Sequence, residues 1–275
     1  MATNQKFGGD WSDKKLGALA GYLEAYGKVL SNTPFKTAYI DAFAEGGSQL
    51  DEDKGIYRHG SPLIALGVEP AFDHFFFIDK EADNLTSLED QIGSEGYSKK
   101  SIDYLCGDAN EHLQNICDKN WSKHRAVAFL DPFALQIRWD TVKAIAATKS
   151  IDMWFLFPAM AVNRMLTRSG EIDEKWQQRL DTTFGAASWK DAFYEKEPPD
   201  LFGEEVTTKK DKPFKILSNF VTQRLDTEFA AVHDEPLILK NSSNTPIFLL
   251  CFACGNERGS KPAMRIANHI IKSQS

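Results

Sequence analysis

The sequence predicts an α/β fold: a doubly wound, mostly parallel sheet of seven strands, closed by a terminal antiparallel hairpin. Three observations predict it. Through the first 157 residues, short apolar runs alternate with stretches of helical period, the rhythm of parallel strands joined by right-handed crossovers. Four of those runs carry an acid at or near their C-terminal end: Asp41 in 37–41, Asp79 in 74–79, Asp108 in 101–108 and Asp131 in 125–133. Near the C-terminus, runs 236–240 and 246–253 flank the polar turn Asn241-Ser-Ser-Asn244, and so short a link makes the pair antiparallel.

Residues 10–30 read as a helix. Leu16, Leu19, Leu23 and Val29 recur near the helical period, Ser12-Asp13 offers a cap, and Pro34 follows its end. Residues 37–43 form the first strand. The polar, glycine-bearing connection 41–59 that follows exceeds the roughly 2–6 residues of a usual βα loop, which marks it as functional or mobile. Ser61 then caps a helix with Pro62 in its first turn. Strand 74–79 leads to helix 84–92, strand 101–108 to helix 109–119, strand 125–133 to helix 140–148, and 151–157 is a fifth, very apolar strand.

Residues 158–210 break the rhythm. They carry Trp176, Phe184, Trp189, Phe193 and Phe202, with helical patterns at 161–167 and 171–182. The segment reads as a small helical insertion between an N-terminal part, 1–157, and a C-terminal part, 211–275, of one domain, with aromatic residues able to stack on a base at the acceptor side. Helix 212–229, the hairpin and helix 262–272 complete the chain.

The chain has 275 residues, a formal net charge of −7, 42% hydrophobic and 26% charged residues. That balance argues against a surface coated for nucleic acid, while leaving room for a local basic groove. No run approaches the roughly 18–20 apolar residues of a membrane span, and residues 1–10 lack the apolar core of a signal peptide. The expectation is a cytoplasmic protein without membrane contact. Cys251-x-x-Cys254 lies in an apolar strand-like run, and Cys106 and Cys117 do not supply a matching pair, so the cysteines read as structural and no metal is expected. The six histidines show no ligand spacing. Arg164 and Arg168 read as surface arginines, with phosphate contact the alternative. Lys209-Lys210-Asp211-Lys212 reads as a solvated loop, with nucleic-acid contact the alternative.

The chemistry concentrates at the strand ends, where open α/β sheets bind ligands. The first ends in Tyr39-Ile-Asp41-Ala-Phe43-Ala-Glu-Gly46-Gly47, and glycines there admit a ligand close to the backbone. Asp79, followed by Lys80, either accepts both ribose hydroxyls of an adenosine or caps the next helix. Asp108, followed by Ala109, either accepts from the exocyclic amine of adenine or caps its own helix. In Asp131-Pro132-Phe133, Asp131 accepts from an amine, Pro132 stiffens the turn and Phe133 offers a stacking face; the alternative is a loop-capping Asp131 and a core Phe133. Strand-end acids of this kind suggest a nucleoside cofactor and a methyltransferase. A dinucleotide oxidoreductase is disfavoured because no Gly-x-Gly-x-x-Gly follows the first strand.

The arrangement resembles the class I S-adenosylmethionine-dependent methyltransferases. More closely it resembles the three-Cys-motif partner (TcmP) family of bacterial proteins, in Tyr39-Ile-Asp-Ala-Phe-Ala, Gly60-Ser-Pro-Leu-Ile-Ala-Leu, Phe77-Ile-Asp-Lys, Gly107-Asp-Ala-Asn and Phe129-Leu-Asp-Pro-Phe. Trp139-Asp-Thr-Val, Phe157-Pro, Asn163-Arg164 and Asn256-Glu-Arg-Gly259 continue the match. The resemblance implies S-adenosylmethionine as cofactor and a separate partner protein that carries the three cysteines. Asp131-Pro132-Phe133 also resembles the corner of amine-directed methyltransferases that act on bases, which implies an amine acceptor in a nucleobase of RNA or DNA, flipped out where the substrate is duplex. A non-catalytic binding or assembly role on the same fold is the alternative. Two departures stand out. The family has glycine, proline and glycine where this chain has Glu45-Gly46-Gly47, and glycine where it has Ala134.

Overall fold

The computed structural model describes residues 10–45, 48–51, 56–196 and 207–275. Its centre is an eight-stranded sheet. The five parallel strands are β1 (Lys36–Asp41), β4 (His74–Asp79), β5 (Ile102–Cys106), β6 (His124–Leu130) and β7 (Ile151–Phe157). They stand in the order β5-β4-β1-β6-β7. Tyr39 is in register with Phe75 on one side and Val127 on the other. β6 and β7 are buried nearly throughout, because helices cover both faces of the sheet and both side-chain rows must be apolar.

Beyond β7 the sheet turns antiparallel. β12 (Pro246–Cys254) wedges against β7, and β11 (Leu237–Lys240) folds back on β12. This is the methyltransferase-type, Rossmann-like sheet with its terminal hairpin. The eighth strand is β10 (Ala231–Val232), two residues long, which pairs with Cys254 and Ala253 on the same edge of β12 as β11. The seventh sheet position is thus shared by two short strands.

Helices α1 (Asp10–Leu30), α2 (Ser61–Gly67), α3 (Ala82–Ser94) and α10 (Ser260–Gln274) pack on one face around Tyr22, Phe77, Trp154 and Phe252. The other face carries α4 (Ala109–Cys117), α5 (Trp139–Ala147), α6 (Ala159–Met165), α7 (Glu174–Phe184), α8 (Trp189–Phe193) and α9 (Pro213–Asp226).

Several local expectations are corrected. The third strand stops at Cys106 and the fourth at Leu130, so Asp108 and Asp131 lie just beyond their strands. The 41–59 connection contains an antiparallel pair, β2 (Ser48–Asp51) with β3 (Ile56–His59). Gly60, not Ser61, occupies the N-cap of α2, and no side chain caps that helix. The 158–210 segment also holds an antiparallel pair, β8 (Tyr194–Lys196) with β9 (Thr207–Lys209). Its aromatic rings largely serve the core: Phe184, Trp189 and Phe193 are fully buried, with Phe184 stacked on Phe157. Trp176 is exposed, and Phe202 lies outside the described residues. Lys209 does not project into water. Its ammonium donates to the carbonyls of Asn163 and Leu166 and to Asn163 Oδ1, and burial lowers its pKa.

Candidate active site

The strand order reverses at β1: successive parallel strands lie first to one side of it, at β4 and β5, then to the other, at β6 and β7. The carboxyl ends on either side of such a switch open a crevice where ligands bind. The sequence places its acids around that crevice, and the structure gives each a different environment.

Asp41, the last residue of β1, is completely buried. Its carboxylate accepts from Tyr39 Oη at 2.8 Å and from the Phe43 N–H at 3.4 Å. Burial pushes its pKa up to about 7, against the opposing hydrogen bonds from Ser61, Tyr39 and Phe43, and the charge of Asp131 adds to the rise. Ser61, expected as a helix cap, is thus a partner of Asp41. Asp41 shapes the corner from within and presents no oxygen to a ligand. Phe43 is half-buried beside it; Gly46 and Gly47 lie outside the described residues.

Asp79, the last residue of β4, ties two chain segments together. Oδ1 accepts from the Glu81 N–H at 2.8 Å and from Asn84 Nδ2 at 3.0 Å. Oδ2 accepts from the Glu45 N–H at 3.0 Å. Each carboxylate oxygen has two acceptor sites, so one site on Oδ2 is left among the described contacts. Asp79 bonds the backbone at the start of α3, although the N-cap itself is Glu81. Lys80 is exposed next to it.

Asp108 caps α4: Oδ1 accepts from the Asn110 N–H at 2.8 Å and the Glu111 N–H at 3.2 Å. Burial raises its pKa, but these hydrogen bonds and the nearby Arg138 charge outweigh that and bring it below the usual carboxylate value. The side chain is 53% exposed, and Oδ2 carries no bond among the described residues. The capping and ligand-binding readings of Asp108 are compatible, one oxygen for each. Ala109 opens the helix with its side chain nearly buried.

Asp131-Pro132-Phe133 leaves the end of β6. Pro132 is buried, whereas Phe133 is 70% exposed, so its ring is not core. The turn is held from below. Phe133 N–H donates to Gln136 Oε1 at 2.8 Å, and buried Asn110 donates to the Gln136 carbonyl while accepting from the Arg138 N–H and the Thr141 hydroxyl. Asp131 Oδ2 is paired with Lys15 Nζ at 2.5 Å. Lys15 comes from α1, is itself buried, and lies 5.3 Å from the centre of the Trp11 ring. Asp131 Oδ1 has no partner among the described residues.

Lys15, Asn110 and Gln136 were not legible as site residues. Nothing in the helical pattern of 10–30 distinguishes Lys15 from a solvated lysine, except its place on the turn that also carries Leu16 and Leu19. Both departures from glycine fall at left-handed backbone positions, Glu45 at φ 44° and Ala134 at φ 61°, which cost a side-chain-bearing residue roughly 1–2 kcal/mol each.

No protein-family model and no curated protein matches the chain. Among solved structures, it is similar to a protein from Legionella pneumophila, at 14% identity over 81% of this chain and 93% of that one, with a TM-score of 0.45. It is also similar to the N-terminal domain of EvdMO1 with S-adenosylhomocysteine bound, at 9% identity, 86% and 80% coverage and a TM-score of 0.42. The methyltransferase domain of bacterial CtHen1 gives 11%, 86% and 99%, and 0.40. Likeness at this level lends the chain no activity.

Proposed function

We propose that this chain is an S-adenosylmethionine-dependent methyltransferase acting on an amine, of a nucleobase in RNA or DNA. The observation that carries the reading is the pairing of an open acceptor, Asp131 Oδ1, with an exposed ring, Phe133, at the carboxyl edge of the sheet. An amine attached to a flat heterocycle needs those two contacts.

The residues present fit an adenosine cofactor. The remaining acceptor site on Asp79 Oδ2 suits a ribose hydroxyl, and the exposed oxygen of Asp108 suits the adenine amine. Asp41 supports these two by fixing the corner instead of touching the ligand. Phe43, Lys80, Ala109, Gly46 and Gly47 complete the proposed cofactor surroundings. When bound, the cofactor supplies a methyl group activated on a sulfonium. Asp131 Oδ1 accepts one N–H of the target amine and so turns its lone pair toward that methyl, while Pro132 and Gln136 keep the turn from drifting. Positioning of this kind supplies much of the rate in a displacement. We read the 158–210 segment as flanking the acceptor side, from its place after the fifth parallel strand; the protein as cytoplasmic, from the sequence of residues 1–10 and the lack of a long apolar run; and the chain as a TcmP-type protein working beside a three-cysteine partner, from the motif series.

The Lys15–Asp131 ion pair favours a second reading, a non-catalytic assembly partner, because it occupies half of the carboxylate. Two measurements decide. Calorimetry with S-adenosylhomocysteine should show binding, and labelled methyl should transfer to bulk RNA or DNA. Binding without transfer to any pool, including protein and with the partner added, supports the assembly role; absence of binding overturns the cofactor assignment.

A further inference from the structure

A second cavity, of about 280 Å³, lies at the opposite, amino edge of the sheet. Arg125 begins the run along β6 whose far end delivers Asp131, and six strand residues separate the two edges by about 20 Å. The cavity is bounded by the C-terminal half of α1, the first turns of α10 and the 255–259 loop. Tyr22, Tyr26, Leu30, Phe35, Pro262 and Ala263 make its walls apolar and largely aromatic. Polar groups gather at Arg125, Ser150, Asp152 and Arg258.

Their bonding states differ. Asp152 is committed: it accepts from Tyr22 Oη at 2.7 Å and from the Gly255 N–H at 3.1 Å. Arg125 uses one nitrogen, Nη1, for the His124 carbonyl and Ser150 Oγ, and lays its guanidinium 3.8 Å from the centre of the Phe35 ring. Its other two nitrogens have no acceptor among the described residues. Arg258 is exposed and has no ion pair or hydrogen bond among them. Two guanidinium groups that make no ion pair among the described residues therefore border an aromatic-walled cavity, and the one carboxylate beside them, buried Asp152, senses the Arg125 charge but spends its oxygens on Tyr22 and Gly255. A planar guanidinium fork matches a carboxylate in two-point contact and is less heavily hydrated than an ammonium.

We propose that this cavity is a binding site for a small amphipathic carboxylate, its apolar ring or chain held among Tyr26, Phe35, Ala263 and Ile266 and its anionic group held by Arg125 and Arg258. The volume falls just below the roughly 300–1,000 Å³ of sites for drug-sized ligands, which limits the ligand to a ring system or a short chain. The site is independent of the methyl-transfer reading.

Calorimetry of the full chain with 1-naphthoate tests it. Binding with Kd below about 1 mM is expected. The neutral isostere 1-naphthalenemethanol should bind about tenfold or more weakly, as should naphthoate to Arg258→Glu, a change on an exposed side chain that leaves the fold intact. Inorganic phosphate should not compete, because it leaves the apolar walls unused. Ala263→Trp fills the cavity and should abolish binding, while S-adenosylhomocysteine binding, read in parallel, stays as in the parent protein. No heat with naphthoate, benzoate or hexanoate at about 5 mM overturns the proposal. So does binding that survives Arg258→Glu unchanged, or equal binding of the neutral isostere; these two hold even where Ala263→Trp fails to fold.

Discussion

Lys15 and Asp131, 116 positions apart in the chain, meet in a partly buried ion pair that fastens the first helix to the end of the fourth parallel strand. The contact uses Oδ2 and leaves Oδ1 without a partner among the described residues. In the proposed reaction the same carboxylate is both anchor and acceptor.

Asp131→Ala should lower methyl transfer by on the order of 10²-fold or more, since an amine misplaced by about 1 Å loses that much. S-adenosylhomocysteine affinity should stay the same. Lys15→Met separates the two roles of the pair: it keeps Oδ1, so transfer falls less than in Asp131→Ala while the melting temperature drops. Labelled-methyl assays on bulk RNA and DNA, with calorimetry alongside, distinguish these outcomes.

Phe133→Ala removes a ring that is mostly in solvent, so the urea midpoint should not move. Acceptor binding should weaken by roughly 1–3 kcal/mol, the contribution of one stacked base, with cofactor binding unchanged. The check is titration of the best acceptor into both proteins; equal affinity removes Phe133 from the site.

How much of this was legible follows from where each signal lies. The fifth strand is read to the residue, Ile151–Phe157, because a strand buried on both faces is a continuous apolar run. The acids at strand ends are equally visible, since the run stops at a charge. What those acids bond to is not. Asp41 and Asp79 look alike in sequence, yet one is sealed and the other keeps an open acceptor site, a difference set by Tyr39 and Ser61 on one side and Glu45 and Asn84 on the other. The pairing of 48–51 with 56–59 escaped because strands of four residues carry too few alternations to register. Lys209 escaped because a lysine beside another lysine reads as solvated until Asn163 and the carbonyl of Leu166 are found around its ammonium.

Asp79→Ala should weaken S-adenosylhomocysteine binding about tenfold or more, since it removes the proposed ribose acceptor and also releases the Glu45 N–H. Asp108→Ala should cost less affinity but more stability, about 1 kcal/mol, through loss of the α4 cap. Calorimetry and urea melts, run on both variants, read the two effects apart.

Two buried acids, Asp41 and Asp152, make stability fall as pH rises. Asp41 has its folded pKa raised from 3.8 to about 7, so between those values the folded state binds more protons than the unfolded state. Its contribution is fully present below the unfolded pKa and is lost as pH climbs through about 7. Asp152, also raised by burial, acts in the same direction. Asp41→Asn should flatten the decline in melting temperature between about pH 4 and pH 7, the window set by the shift of Asp41. An unchanged slope would show that Asp41 is ionised in the fold.

Ala134→Gly relieves a left-handed residue at an exposed position. It should stabilise by up to about 1 kcal/mol, the backbone cost less the entropy glycine adds to the unfolded chain. Urea denaturation measures it.

Helices α1 and α10 are neighbours: Gly17 lies against Gln274, and Gly21 against Ile270. Helix α1, which brings Lys15 to the corner, is thus braced by a helix more than 200 positions further along the chain. A substitution that loosens α10 reaches the acids of the corner through that lysine without touching any of them.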